Sequence, residues 1–313
     1  MRTLTVSCLL VALAIAVPVS AAAYPWPVEP FDRQHAIRGN FGDPRTLRGS
    51  IDAAGWNPLS FHSGVDIQAP DGTPVYAVEG GEVAITEPYA IAVGTPDATP
   101  SAQLIIGYWH IDPVVASSQY VAPQQLIGYV HRGAGHVHLS EKRFGRLVNP
   151  LRRGGLAPYV DTKPPVVRGL IVYRAGTGEE IPADAVTGTV DLAVDAYDAP
   201  PIPPLAPWRT AVMSPTHISW GGLLDGMWLP LSLHPQTVDF TQLPSVPVED
   251  VYAPGTSQNA PNSQGDYRFW LVRRLDTSIL GEGRRAIHVT AADIRGNTTT
   301  ARLEFTVAPP GDG

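Results

Sequence analysis

The chain has 313 residues, enough for two ordinary domains with a core each, and 44% of them are hydrophobic against 16% charged, a globular rather than a disordered balance. A formal net charge of −7 and a pI near 5.7 supply no basic field and exclude nucleic acid as an expected partner. The single cysteine, Cys8, sits in the first ten residues, so nothing after it can form a disulfide or a thiolate metal site, and any metal must be held by His, Asp or Glu.

The N-terminus reads as a secretory signal. Arg2 gives a small positive region, and residues 8–19 form an apolar stretch shorter than the roughly 20 residues that span a bilayer as a helix. Ala21, Ala22 and Ala23 offer small residues for cleavage after Ala21 or Ala23. Residues 1–23 are therefore expected to be removed, leaving a secreted or cell-envelope protein with no membrane segment; an uncleaved anchor is the alternative. The next stretch, residues 24–35, is short enough to lie in a groove as a plug.

Past it, the 32 prolines and 30 glycines of the chain favour turns and short strands over long helices. Val65 and Ile67, followed by the turn Pro70-Asp71-Gly72, read as a strand, on which His62 and Asp66, at i and i+4, would face one point. Glu79 and Glu82 flank a Gly80-Gly81 turn and are read as turn chemistry. In the stretch 104–111, alternation puts Ile106, Tyr108 and His110 on one side. His136 and His138, at i and i+2, share a strand face with Val137 turned to the core. His131 is read as a surface loop histidine, and His35, His217, His234 and His288 have no partner pattern. Lys142, Arg143, Arg146, Arg152 and Arg153 form a local basic run, either a solvated face or a contact for an anionic polymer.

A double glycine, Gly154-Gly155, and a double proline, Pro164-Pro165, mark a break. Two domains are expected, residues 24–156 and 160–313. Beyond the break, residues 166–173 and 188–197 alternate as strands, the second with Val190, Leu192, Val194 and Ala196 on one face. The last two runs, 286–293 and 298–307, flank a Gly296-Asn297 turn and read as a hairpin. That closing text resembles the end of bacterial immunoglobulin-like domains, which implies a β-sandwich. Residues 200–265 are too rich in proline for their strands to be read. Trp208, Trp220, Trp228 and Trp270 suit a sandwich core, or a sugar-binding face.

Three strands of one sheet would thus aim His62, Asp66, His110, His136 and His138 into one groove. Catalytic zinc takes three protein ligands from such residues and keeps a fourth position for water, whose pKa it lowers to roughly 7. The surplus histidines suit a general base and an oxyanion donor. The texts "IRGNFGDPR", "FHSGVDIQAPDGTPVYAVEGGEV", "GYWHI", "QQLIGYV", "HVH" and "VNPL" follow in the order of the lysostaphin-like, or LytM, peptidases of family M23. The resemblance runs from about residue 37 to 151. It implies a mainly β, antiparallel metallopeptidase domain with zinc on His62, Asp66 and His138, and with His136 and His110 as the catalytic histidines. It also implies peptidoglycan peptides as substrate. The loop 130–135 lacks the family's Ser and Thr, and Leu139-Ser140-Glu141 replaces its Phe-Glu. The alternative functions are a non-catalytic regulator of cell-wall hydrolases and a wall-binding or adhesion protein.

Overall fold

The computed structural model describes residues 23–46, 58–94, 104–224, 227–228 and 238–309. The expected signal segment apart from Ala23 lies outside them, as do His234 and part of the stretch between residues 89 and 101. The fold is mainly β. Every strand pairs antiparallel with its neighbours, and the helical turns among the described residues are the short 3-10 segments Val248–Asp250 and Thr277–Leu280. No helix there is long and apolar enough to cross a membrane.

The N-terminal half is organised by an eight-stranded sheet. Its order is Ile37–Gly39, Val65–Gln68, His136–Arg143, Leu104–Trp109, Ala90–Gly94, Gly81–Glu87 and Tyr120–Val121, with Arg146–Val148 paired to the far end of His136–Arg143. The strand His136–Arg143 lies in the middle and is buried on both faces over its first six residues. Val137, Leu139 and Glu141 point one way; His136, His138 and Ser140 point the other. Residues 24–35 cover the first of these faces and do not plug the second. Tyr24 and Trp26 are fully buried, with the Tyr24 hydroxyl donating to Glu141 and the Trp26 indole donating to the Pro158 carbonyl.

Glu141 also accepts from Arg143 and Arg152, so two members of the basic run turn inward onto one buried carboxylate. A buried charge is tolerated only when paired in this way.

The C-terminal half has a four-stranded sheet, ordered Glu180–Ile181, Val166–Arg174, Thr189–Tyr197 and Arg268–Asp276. Opposite it is a five-stranded sheet built on His217–Leu224, Gly283–Ala292 and Thr298–Val307. The hairpin runs in register from Gly283↔Val307 to Ala292↔Thr298. Its turn is held by the Asp293 carboxylate, which accepts from the backbone of Arg295 and Asn297, while Gly296 takes φ 91°. Trp220 and Trp270 are buried, their indoles bonded to the carbonyls of Leu271 and Glu249. These two are core residues. The side chain of Trp228 lies outside the described residues.

One apolar cluster runs from Tyr24 to Val307 across both halves, where separate cores are expected from length alone. The seam centres on the Phe41-Gly42 turn. Phe61 packs 5.8 Å from Phe240 and 6.0 Å from Tyr252, whose hydroxyl donates to the Gly42 carbonyl. A Cβ at Gly42 would stand 2.4 Å from the Phe240 ring, and its φ is 86°, so this turn requires glycine twice over. Ser214 donates through its backbone to Asp43, and Asn40 donates to the Ser214 carbonyl. The turn that follows Ile37–Gly39, the first strand of the eight-stranded sheet, is therefore the surface on which the C-terminal half sits.

Candidate functional site

Asp66 and His138 face each other directly in the ladder between Val65–Gln68 and His136–Arg143. His62 reaches them by a different route from the expected single strand. The strand Pro58–Phe61 ends before it and pairing resumes only at Val65. Between them the chain runs flush against the central strand: a Cβ at Gly64 would lie 2.2 Å from the Leu139 carbonyl oxygen and 2.8 Å from His138 Nε2. Gly64 is what allows His62 to come this close.

The three side chains converge. His62 Nε2 lies 2.7 Å from His138 Nδ1 and 3.0 Å from Asp66 Oδ1, and His138 Nδ1 lies 3.1 Å from the same oxygen. All three residues are buried. The outer shell orients them. His62 Nδ1 donates to the Asn40 carbonyl at 2.7 Å, which leaves Nε2 as a bare lone pair facing the group. Arg45 donates to Asp66 Oδ2 at 2.6 Å, leaving Oδ1 to the histidines.

Burial, and next the Arg45 charge, push the His62 imidazolium down to about 3, so the ring is neutral at ordinary pH. Burial alone would raise the Asp66 carboxyl. His62, Arg45 and the hydrogen bonds from His136 and His138 outweigh it and hold the carboxyl well below its usual range. Two imidazoles, the His62 ring neutral, and one ionised carboxylate are the donor types that a zinc site with an open position takes. Tetrahedral bonds of about 2 Å place ligand atoms roughly 3.3 Å apart, so these residues fit the ion with a small opening.

His136 follows on the same face, its Nε2 3.5 Å from Asp66 Oδ1. Its Nδ1 lies 2.8 Å from the Ala134 carbonyl and 2.6 Å from the Arg38 guanidinium. His110 is placed against the expected alternation. Ile106 and Tyr108 are fully buried, and strict alternation would bury His110 with them. Instead the strand ends at Trp109 and His110 takes φ 64°, which turns its ring outward to stand 4.5 Å from that of His136. A left-handed backbone at a non-glycine residue costs about 1 kcal/mol and is held here by the surrounding structure. Partial desolvation, and next the neighbouring His136, push His110 down to about 4.

His131 does not join the group: it bonds Asp112 at 2.7 Å and stacks on Tyr89 at the rim. His35 bonds the Pro30 carbonyl, His217 stands 3.7 Å from Asp239, and His288 is exposed. A cleft of about 970 Å³ continues along the sheet face from Trp109, whose ring meets that of His138, past Ser140 to Asp239 and Thr241 of the C-terminal half. Sequence reasoning missed Arg38 and Gln68, and it reads Trp208 only as a core or sugar-binding residue, not as a neighbour of this group. Arg38 sits 4.5 Å from the Trp208 ring, and Gln68, opposite His136 in the ladder, exchanges two hydrogen bonds with the backbone of Leu205. An arginine between two apolar positions of an edge strand was the available signal.

Residues 60–150, which take in all five candidate residues, match the family model described as Peptidase family M23. No curated protein matches the chain. Among solved structures, the chain is similar to a zinc-containing peptidase from Vibrio cholerae, at 26% identity over 41% of this chain and 39% of that one, with a TM-score of 0.32. It therefore spans about two-fifths of that protein. It is similar to the catalytic domain of the antimicrobial peptidase lysostaphin from Staphylococcus simulans at 20% identity, over 37% of this chain and 90% of that one, with a TM-score of 0.29. A third similarity is to the M23 metalloprotease pseudoalterin from the deep sea, at 18% identity over 43% and 78% of the two chains, TM-score 0.28.

Proposed function

We propose that the chain is a secreted, zinc-dependent endopeptidase of the M23 type that hydrolyses peptide bonds in peptidoglycan, with residues 24–156 as its catalytic domain and residues 160–313 as an immunoglobulin-like β-sandwich. The observation that carries this reading is the convergence of His62, Asp66 and His138, with the rings of His136 and His110 paired beside them. The family match over residues 60–150 supports a peptidase, and the peptide-and-wall substrate rests on the resemblance.

His62, Asp66 and His138 would hold the ion. Zinc bound there acidifies water and polarises a carbonyl. His136, with Nδ1–H given to the Ala134 carbonyl, presents Nε2 to take a proton from the attacking water and return it to the leaving amine. His110, neutral because its cation is disfavoured, donates from the groove side to the oxyanion that develops on the amide. Trp109 and Ser140 line the cleft that would receive an extended peptide.

The test is digestion of purified peptidoglycan by the mature protein, with released fragments read by mass spectrometry. Fragments that require zinc, vanish with a chelator and are lost in His136→Ala are expected, and their masses name the bond. Zinc binding with no fragments from several wall types would overturn hydrolysis and leave the regulatory or adhesive role.

A further inference from the structure

Arg38 is a half-buried cation beside the candidate centre that forms no ion pair among the described residues. Its neighbours are the His136 ring on one side and the Trp208 ring on the other, 4.5 Å from the guanidinium carbon. Arg45, its near neighbour in sequence, donates directly to Asp66; Arg38 feels the Asp66 charge only at longer range and makes no direct pair with it among the described residues. A guanidinium removed from water without an anion is unfavourable, and an aromatic face offsets that only in part. Among the described residues only one of its nitrogens is engaged, which leaves a fork of donors toward the groove.

The clamp is built by the C-terminal half. The Trp208 backbone donates to the Leu205 carbonyl and accepts from Ala211, and Asn262 donates to the Pro207 carbonyl. Leu205 is tied at 2.7 and 3.3 Å to Gln68, the residue opposite His136 in the ladder. Trp208 is thus tied through Leu205 and Gln68 to the strand that pairs with His136, and Leu205 stands exposed at the edge.

We propose that Arg38, clamped between His136 and Trp208, binds a carboxylate of the peptide substrate next to the scissile amide, so that the C-terminal half selects which peptides are cut. This rests on the peptidase reading above. An arginine fork matches a carboxylate bidentately. The arrangement also couples binding to turnover. His136 Nδ1 cannot accept from Arg38 while it donates to the Ala134 carbonyl. A carboxylate that takes over the guanidinium leaves Nδ1–H to Ala134 and Nε2 free as a base, so Arg38 is a positioning residue for His136 as well.

Two probes separate these ideas, both with the D-Ala C-terminus amidated: the stem tetrapeptide L-Ala–γ-D-Glu–L-Lys–D-Ala, and the same peptide with the glutamate α-carboxyl also amidated. Calorimetry on the zinc-loaded full chain is expected to show the carboxylate form bound about tenfold tighter. Arg38→Gln should erase that preference, and Trp208→Leu should reduce it, with unchanged melting temperatures showing that both variants fold. With cross-linked substrates of the two kinds, the preference should appear in kcat as well as KM. A wild-type protein indifferent to amidation, or an Arg38→Gln variant that keeps the preference, overturns the proposal. If walls are digested but amidation is without effect, the carboxylate site fails and the peptidase stands. If the carboxylate peptide binds through Arg38 but no wall is cut, the reverse holds.

Discussion

Two groups of three buried side chains meet within 4.8 Å among the described residues: His62, Asp66 and His138 at the groove, and Asp161, Asp198 and Asp293 beside the junction of the halves. Geometrically they are alike, but their electrostatics are opposite. In the first, one carboxylate stands among imidazoles with Arg45 at its back, and its charge is favoured. In the second, burial, and next the charges of Asp161 and Asp293, push Asp198 up to about 8, so near-neutral water leaves it protonated. Proximity of donors therefore does not make equal sites. The first group keeps its ionised ligand in place without an ion, whereas the second relieves its repulsion by taking up a proton.

The largest effect expected follows from removing the single charge of the first group. Asp66→Asn keeps the shape and leaves Arg45 without its partner. Zinc content should fall to near zero, and peptide hydrolysis should drop by at least about a thousandfold, on the scale of losing a catalytic metal. Metal analysis and fragment yield from wall digests check both. Full activity in this variant would move the ion elsewhere.

A further buried carboxylate sharpens the contrast, because Glu141 meets burial by pairing. It lies on the same strand as the two candidate histidines but faces the other way, onto Arg143, Arg152 and Tyr24. Glu141→Gln leaves two arginines without their partner, and a loss of about 3 kcal/mol in unfolding free energy is expected. Denaturant titration of the chelated protein measures it, and a loss below about 1 kcal/mol would show that solvent reaches the site.

What was legible in the sequence tracks how local each feature is. His136 and His138 could be assigned to one face because two residues along a strand suffice to decide it. The closing hairpin was legible through Gly296-Asn297 and period-two alternation. His110 is assigned to the group by alternation as well as by the family text, but its direction is not legible, since a left-handed residue at a strand end breaks that alternation. His62 was placed for a partly wrong reason, a continuous strand where Gly64 in fact lets two segments meet. The docking of the halves was invisible. Phe240 on Gly42 and Trp208 on Arg38 join positions far apart in the chain, and the C-terminal partners lie in proline-rich text with no period to read.

The second group gives a pH signature. Asp198 binds a proton more tightly folded than unfolded, so its contribution to stability is fully present below about 4 and is lost as pH rises through about 8. Between pH 5 and 8 the chelated protein should lose on the order of 3 kcal/mol through this residue. Asp198→Asn should flatten that slope and stabilise the protein at pH 8. Unfolding curves at both values, for both proteins, decide it. An unchanged slope in the variant would place the titration elsewhere.

The smallest effect lies between the two halves. Gln68→Ala removes two hydrogen bonds to Leu205 that are exposed to water, so stability should fall by less than about 1 kcal/mol. The seam at Phe61, Phe240 and Tyr252 stays intact in this variant, and the halves should remain docked. The loop that carries Trp208 would nevertheless lose its tie to the strand bearing Asp66. The expected result is an unchanged zinc content and melting temperature, together with faster hydrogen exchange at the Trp208 and Leu205 amides. Exchange unaltered there would mean that the Asn262 contact and the Arg38 stacking suffice to hold the loop. The register of Trp208 with the strand bearing Asp66 would then be set from the C-terminal side alone.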